Sequence, residues 1–423
     1  MTRPGYRMTE IGEIPEEWEF TKLGDPKIIN KMKAGGTPLK SVKTYYENGT
    51  IPFVKIEDIV KSSKYLTSTL EYITEEGLKN SSSWLSPKDS ILFSMYASYG
   101  EVCINKIPVT TNQAIITIVP NRENVDITFL YYELKSLKSS LKQYLRSTTQ
   151  SNLNAEIVKG LKMAIPPFPE QEKIAEILST ADETIQKVNE EITLTEKLKK
   201  GLMQTLLTKG IGHTKFKMTE IGEIPEEWKL KSISDCTIPT NTIDPYSVFG
   251  NSNFHYIDVS AISSENLEII DTKEIQGLAA PSRARKEVKK DDVLFATVRP
   301  YLKRVAIVPK YLDGNVCSTA FCVVRANRKE ILPKFLFYYM TLDKFVNRLS
   351  GVQTGSAYPA VSDKQVISQR IAIPELHEQQ KITEILTTVD DKLKLLRNKR
   401  EYLEKLKKGL MGELLTGRVR VKV

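Results

Sequence analysis

Two stretches of this chain place apolar side chains on a seven-residue frame. The first runs from Glu170 to about Thr208, with no proline and no glycine except Gly201. Leu178, Ala181, Ile185, Val188, Ile192, Leu202 and Leu206 fall on its a and d positions, the spacing that lines one side of a helix. The second stretch holds the same frame through Leu386, Val389, Leu393, Leu396, Leu403, Leu410 and Leu414. Lys199, Arg400 and Lys407 interrupt it at a positions. A helix of roughly 39 residues would be about 58 Å long, more than a compact module can cover. Two matching stripes of that length predict that the helices pair with each other. Each helix follows its own module, so antiparallel pairing would set the modules at opposite ends, about a pseudo-twofold axis.

The modules between these stripes have a different pattern. Short apolar, β-branched runs such as "IPFVKI", "AIITIVP", "FHYIDVSAI" and "CVVRA" predict strands. Clusters such as "KAGGTPLKS", "YENGTIP" and "VFGNSNF" punctuate them as turns. Mixed α and β modules are expected from Glu19 to Ala164 and from Lys229 to Ala372. They belong to one plan used twice. "MTEIGEIPEEW" occupies Met8–Trp18 and returns unchanged at Met218–Trp228, an offset of 210. "EQEKIAEILSTAD" (Glu170–Asp182) matches "EQQKITEILTTVD" (Glu378–Asp390), and "EKLKKGLMQTLLTKG" (Glu196–Gly210) matches "EKLKKGLMGELLTGR" (Glu404–Arg418), both at 208. Between these anchors "DSILFSMYASYGEVCI" faces "DDVLFATVRPYLKRVAI", and "FLYYEL" faces "FLFYYM". The expected division is a first module over residues 1–164, a central helix over 165–212, a second module over 213–372, and a C-terminal helix with a basic tail over 373–423.

Composition narrows the class. A chain of 423 residues has room for two or three domains, and 40% hydrophobic with 27% charged residues is ordinary for a globular protein. No run of about 18 apolar residues occurs, and "MTRPGYRMTEIGEIPEEW" lacks the apolar core of a signal peptide, so a cytoplasmic protein without a membrane span is expected. Cys103, Cys236, Cys317 and Cys322 have no CxxC spacing, and the histidines are only His213, His255 and His377. Buried free thiols are expected, not a zinc cluster. The net charge of +9 is modest, so its distribution matters more than its sum. Lys27, Lys31, Lys33, Lys40 and Lys43 lie in a stretch without an acid, and "SRARKEVKKDDVLFATVRPYLKR" (Ser282–Arg304) is a second basic run. The tail from Lys392 carries eleven basic residues against three acidic ones. Three such runs point to a polyanion partner.

Catalytic signatures are missing. There is no GxGxxG, GxxxxGK[ST], GxSxG or HExxH, so neither a nucleotide fold nor these hydrolase sites are supported. "IPPFPEQ" at Ile165 looks like the Asn-Pro-Pro-Phe loop of adenine-N6 methyltransferases, but that loop needs an Asn amide where Ile165 stands. The second copy reads "IPELHEQ", and the prolines are read as ending a strand before a helix.

The doubled plan of module, "IP..EQ.KI..IL" and "EKLKKGLM..LLT" helix resembles the specificity subunit of type I DNA restriction–modification systems. The strap "TEIGEIPEEW", the stretch "KAGGTPLKSVKTYYENGTIPFVKIEDI" and the endings "TTQSNLNAEIVKGLKMAIPP" and "GSAYPAVSDKQVISQRIAIPE" carry the same resemblance over nearly the whole chain. It implies an α+β fold, with two target-recognition domains related by a pseudo-twofold axis and separated by two long antiparallel coiled-coil helices. Each domain would read one half of an asymmetric, bipartite double-stranded DNA target. The helices would set the gap and dock two modification (methyltransferase) subunits, and restriction subunits, the ATP-dependent translocase and nuclease, would complete the complex. This subunit would be non-catalytic and hold no cofactor, with S-adenosylmethionine, ATP and Mg in the partners. In the first module Lys31, Lys33, Lys40 and Lys43 around Gly35, Gly36 and Thr37 suit phosphates, where lysines and backbone amides converge. Tyr96, Tyr99, Gln150 and Asn152 are candidates for base edges, since Gln and Asn pair bidentately with adenine. In the second, Arg283, Arg285, Lys303 and Arg304 are phosphate candidates, and Arg299, Tyr301, Ser356 and Tyr358 are base candidates. Two other readings stay open: a stand-alone two-domain DNA-binding regulator, and a structural adaptor that does not touch nucleic acid.

Overall fold

The two heptad stretches are continuous helices in the computed structural model, Phe168–Leu206 and Leu376–Leu414, each of 39 residues. Residues 2–96, 98–138, 141, 153–351 and 359–422 are described. All fourteen heptad positions are buried or half-buried; Leu178 and Leu386, for example, have no exposed surface. The chain divides into two units, Met1–Asn189 with Asn398–Val423, and Glu190–Arg397. Each unit therefore holds one module, one half of the first long helix and the opposite half of the second.

In the first unit a five-stranded sheet runs in the order Ile29–Ala34, Ile115–Pro120, Ile91–Ser94, Val102–Asn105, Tyr65–Leu66. Its inner strands are apolar at nearly every position because both faces are covered. One face meets the helix Ile127–Ser136, started by Asp126, whose carboxylate accepts the Phe129 amide at 2.7 Å. Phe129, Leu130, Tyr131 and Tyr132 then join Ile174 and Leu178 of the first long helix and Leu414 and Leu415 at the end of the second in one buried cluster. The start of one long helix thus lies beside the end of the other, so the segments in this unit run antiparallel. A separate three-stranded sheet sets Thr110–Thr111 parallel to Ile51–Val54.

The second unit repeats this logic with two four-stranded sheets. One is ordered Thr237–Ile238, Phe321–Ala326, Val293–Ala296, Val305–Ile307; in the other, Val316–Ser318 runs parallel to Asn253–Ile257. Leu206 and Leu207 cluster with Ile382, Leu386 and the helix Pro333–Met340, so antiparallel pairing recurs here.

The repeated words of the sequence are structural locks. Trp18 Nε1 donates to the buried Glu170 carboxylate at 3.0 Å, and Trp228 Nε1 donates to Glu378 at 3.0 Å. The next residue spans two segments in each copy. Gln171 accepts from the Asp126 amide and donates to the carbonyls of Asn124 and Pro166, while Gln379 accepts from Leu332 and donates to Glu330 and Pro374. The heptad interruptions have a matching explanation. Lys199 pairs with Asp390 at 2.6 Å, and Asp390 accepts the Tyr338 hydroxyl at 2.7 Å. In the first unit Lys407 pairs with Asp182, which accepts the Tyr132 hydroxyl at 2.7 Å. A lysine in the apolar seam costs stability unless one register supplies its partner, so these two pairs select the register.

The four cysteines are buried and free, and burial pushes the Cys103, Cys236 and Cys322 thiols up to about 12. Glu133 is less settled. It is buried in the helix Ile127–Ser136, its Oε2 has no hydrogen-bond partner among the described residues, and burial raises its carboxyl to about 8. A folded state that keeps this proton while the unfolded chain releases it near the ordinary carboxylate range loses stability as pH rises from about 4.5 towards 8. Glu133→Gln is expected to flatten that decline and to stabilise the protein by about 1–3 kcal/mol at pH 8. Urea unfolding at pH 5 and pH 8 checks it; an equal response of both proteins to pH would remove Glu133 as the cause.

Candidate nucleic-acid interface

Strand geometry creates the basic surface of the first module. Ile29–Ala34 is an edge strand paired antiparallel with Ile115–Pro120, and side chains two apart share one face. Lys31 and Lys33 are both exposed on that face, with their ammonium groups 4.3 and 5.9 Å from the Trp84 ring centre. A Trp ring holds cations without neutralising them, so both charges remain available to an anion. Lys40 and Lys43 are exposed and have no ion pair among the described residues. Trp84 Nε1 and Thr111 Oγ1 are buried here with no hydrogen-bond partner among the described residues.

The glycines play a different part from the one expected of them. The Gly35 amide donates to the Ile115 carbonyl at 3.0 Å and the Gly36 amide to Thr111 at 2.9 Å, so neither is available to a phosphate. A Cβ on Gly35 would stand 2.0 Å from the Thr111 carbonyl oxygen, and one on Gly36 2.1 Å from Ser82 Oγ. They permit backbone to pack on backbone, and that packing brings Thr37 to Gln113, where the hydroxyl donates to Oε1 at 2.5 Å. Tyr96 and Tyr99 are half-buried against the hydrophobic cluster. Gln150 and Asn152 lie outside the described residues.

In the second module the predicted cations are mostly engaged. Arg285 pairs with Asp244 at 2.5 Å, and Arg304 donates to the Val259 carbonyl at 2.7 Å. Lys303 pairs with Asp343, and with Lys200 3.5 Å away the two ammonium groups hold the Asp343 carboxyl below its usual range. Arg283 is exposed, with no side-chain partner among the described residues. Arg299 and Lys303 both take left-handed backbone, φ 51° and 48°, on either side of Pro300–Leu302. Such strain costs on the order of 1–3 kcal/mol per residue and is a mark of functional loops. At this tip Tyr301 is 53% exposed. Ser356 and Tyr358 lie outside the described residues.

Most of the basic tail is engaged within the chain. Lys392, Lys394, Arg397, Arg400, Lys405, Lys407, Arg418 and Arg420 all form ion pairs within the chain, so eight of its eleven cations serve the helices and their ends.

The family model of the type I restriction modification DNA specificity domain matches this chain twice, over residues 15–196 and 225–405. The chain belongs to that family. This specificity-family chain is 30% identical to a specificity subunit assigned to the MjaX type I restriction enzyme of Methanocaldococcus jannaschii, over 99% of this chain and 97% of the relative. It is 28% identical to the MjaVIII specificity subunit of the same organism, over 97% and 94%. The S subunit of a type I system from M. genitalium shares the fold, with TM-score 0.54 at 16% identity over 98% of this chain and 99% of that one. Among the described residues of the specificity-family chain no three His, Cys, Asp or Glu side chains form a metal cluster, and no helix is long and apolar enough to cross a membrane. Trp84 and Gln113 are the surface residues that reading the sequence missed. Gln113 lies between Asn112 and Ala114 in the short link from Thr110–Thr111 to the buried strand Ile115–Pro120, and an Asn just ahead of an apolar run is the signal by which it could have been found.

Proposed function

We propose that this chain is the DNA-reading subunit of a type I restriction–modification complex, each module contacting one half of an asymmetric, bipartite target. One observation carries the reading. The locks of Trp, Glu, Gln, Tyr, Asp and Lys repeat between the units, while the surface loops diverge; Asn112–Ala114 follows Thr110–Thr111 where Thr319–Ala320 follows Val316–Ser318. A duplicated scaffold with divergent loops suits two unlike half-sites offered to two like partners. On this reading residues 1–164 and 213–372 are target-recognition domains, and 165–212 and 373–423 are spacer helices about a pseudo-twofold axis. Two modification subunits dock on the helices and restriction subunits complete the complex in the cytoplasm. This subunit performs no chemistry; S-adenosylmethionine, ATP and Mg belong to the partners.

An adenine-methylation map of the native host, with and without this gene, tests the role. The expected result is that one split motif loses its methyl groups throughout the genome. An unchanged map, with tight binding of the purified chain to one DNA site, would favour the stand-alone regulator instead. The lysine face gives a second measurement. Replacing both Lys31 and Lys33 by Ala should flatten the slope of log affinity against log salt by about 2, since each phosphate contact contributes about 0.9. An unchanged slope would place those lysines away from the DNA.

A further inference from the structure

Gln113 is held as a reading head is held. Thr111 before it is buried, Asn112 and Ala114 are half-buried, and Gln113 alone of the four is exposed. Asn112 closes the turn around it, its side chain accepting the Ala114 amide at 3.1 Å and its carbonyl the Ile115 amide at 3.2 Å. The turn is then fastened on two sides: the Met95 amide donates to the Ala114 carbonyl at 2.8 Å, and the Gly36 amide donates to Thr111 at 2.9 Å. Such a backbone leaves the side chain little freedom beyond its own torsions, and Thr37 removes much of that by donating to Oε1 at 2.5 Å. The Gln113 Nε2 group has no partner among the described residues. Its two N–H donors are what the loop presents.

The surroundings fix the class of ligand. Gly36, whose neighbour Thr37 holds Gln113, accepts the Ser83 hydroxyl at 2.5 Å, and Ser83 adjoins the Trp84 that carries Lys31 and Lys33. A donor pair beside two exposed cations meets a polyanion whose interior offers acceptors. In duplex DNA the lysines take phosphates and the amide takes a base edge. Thr37 takes one of the two Oε1 lone pairs, so a bidentate pair with adenine would have to share that oxygen, whereas the Nε2 donors are unshared among the described residues. Those donors suit the O6 and N7 acceptors of guanine in the major groove. The second module has nothing comparable at this point, where the shorter Thr319–Ala320 link leads into Phe321–Ala326 and only Thr319 is exposed.

We propose that Gln113 reads an acceptor-bearing base, guanine first, in the half-site of the first module, and that Thr37 is its positioning residue. The proposal rests on the DNA-reading function set out above. The experiment is the methylation map of the native host carrying the complete system, with the wild-type gene, Gln113→Ala, Gln113→Glu or Thr37→Val. A discriminating contact contributes about 1–3 kcal/mol, so roughly tenfold to a hundredfold discrimination should vanish at one position. Gln113→Ala is expected to leave that position degenerate and the other half-site unchanged. Gln113→Glu keeps the size of the side chain but offers only acceptors, and it is expected to reject guanine there. Thr37→Val should loosen the same position and no other, which a general loss of stability would not do. Unchanged motifs in both Gln113 variants overturn the proposal, as does equal loosening of both half-sites. A wild-type map with no split motif overturns the function itself, and this assignment with it.

Discussion

Glu170→Ala should lower the stability of the first unit by about 2–4 kcal/mol, which for a body of this size is a fall of roughly 6–12 °C in its unfolding temperature. The carboxylate is 2% exposed and takes three hydrogen bonds, from Trp18 Nε1 at 3.0 Å and from Arg420 Nε and Nη2 at 2.7 and 3.0 Å. Its loss strands an indole N–H on a residue that is itself 1% exposed. An unpaired buried donor costs about 1–3 kcal/mol, and breaking a buried ion pair costs more. The side chain of Arg420 is 37% exposed, so its guanidinium can rehydrate, and the loss stays below that of a fully buried pair. Arg420 also reaches Glu17 at 2.9 Å, and the Tyr6 hydroxyl donates to the Gly417 carbonyl at 2.8 Å, so this lock ties the strap, the first long helix and the chain's last residues together. Trp18→Phe should cost about 1–3 kcal/mol, and Arg420→Ala about 2–4 kcal/mol because it leaves the buried Glu170 carboxylate with Trp18 alone. Near-ultraviolet circular dichroism on heating reads all three. A Glu170→Ala protein that melts within a degree of the wild type would show that the lock holds nothing.

That lock also shows where the sequence stops being legible. The long helices were visible because their signal is local: a seven-residue frame without proline shows itself within one stretch of chain. The partners of that frame were not. Lys199 and Lys407 appear in the sequence as flaws in a seam, since Asp390 and Asp182 stand about two hundred positions away in the chain. The tail from Lys392 looked like a polyanion surface for the same reason. Three of its cations pair with its own Glu401, Glu404 and Glu413, but for five others the acids lie on other segments, and only the fold brings Glu191, Glu268, Glu196, Asp182 and Glu170 to them. Candidate interface residues divide in the same way. Lys31 and Lys33 could be placed by strand alternation alone, whereas the availability of the Gly35 and Gly36 amides depended on carbonyls some eighty residues further on. Gln113 becomes notable only once Thr37 is known to hold it. Composition and period reveal elements, but which polar groups are already satisfied is a property of the tertiary structure.

Inserting four residues into each long helix, between Asn189 and Glu190 and between Arg397 and Asn398, should move the methylated motif to a longer gap and abolish methylation at the native one. Each unit holds complementary halves of both helices, so matched insertions at these boundaries leave every pair within a unit in place. Lys199 keeps Asp390, and Lys407 keeps Asp182. An insertion in one helix alone would set the seam out of register instead. Four residues add about 6 Å of helix, the rise of about two base pairs at about 3.4 Å each. They also turn the far end by about 40° beyond a full turn, close to the twist of one base pair at about 10–10.5 per turn. Length thus favours a gap longer by two and rotation a gap longer by one, and the methylation map distinguishes them. Either result makes the helices the ruler of the target. A methylated motif that keeps its native gap would mean that something other than these helices measures the DNA.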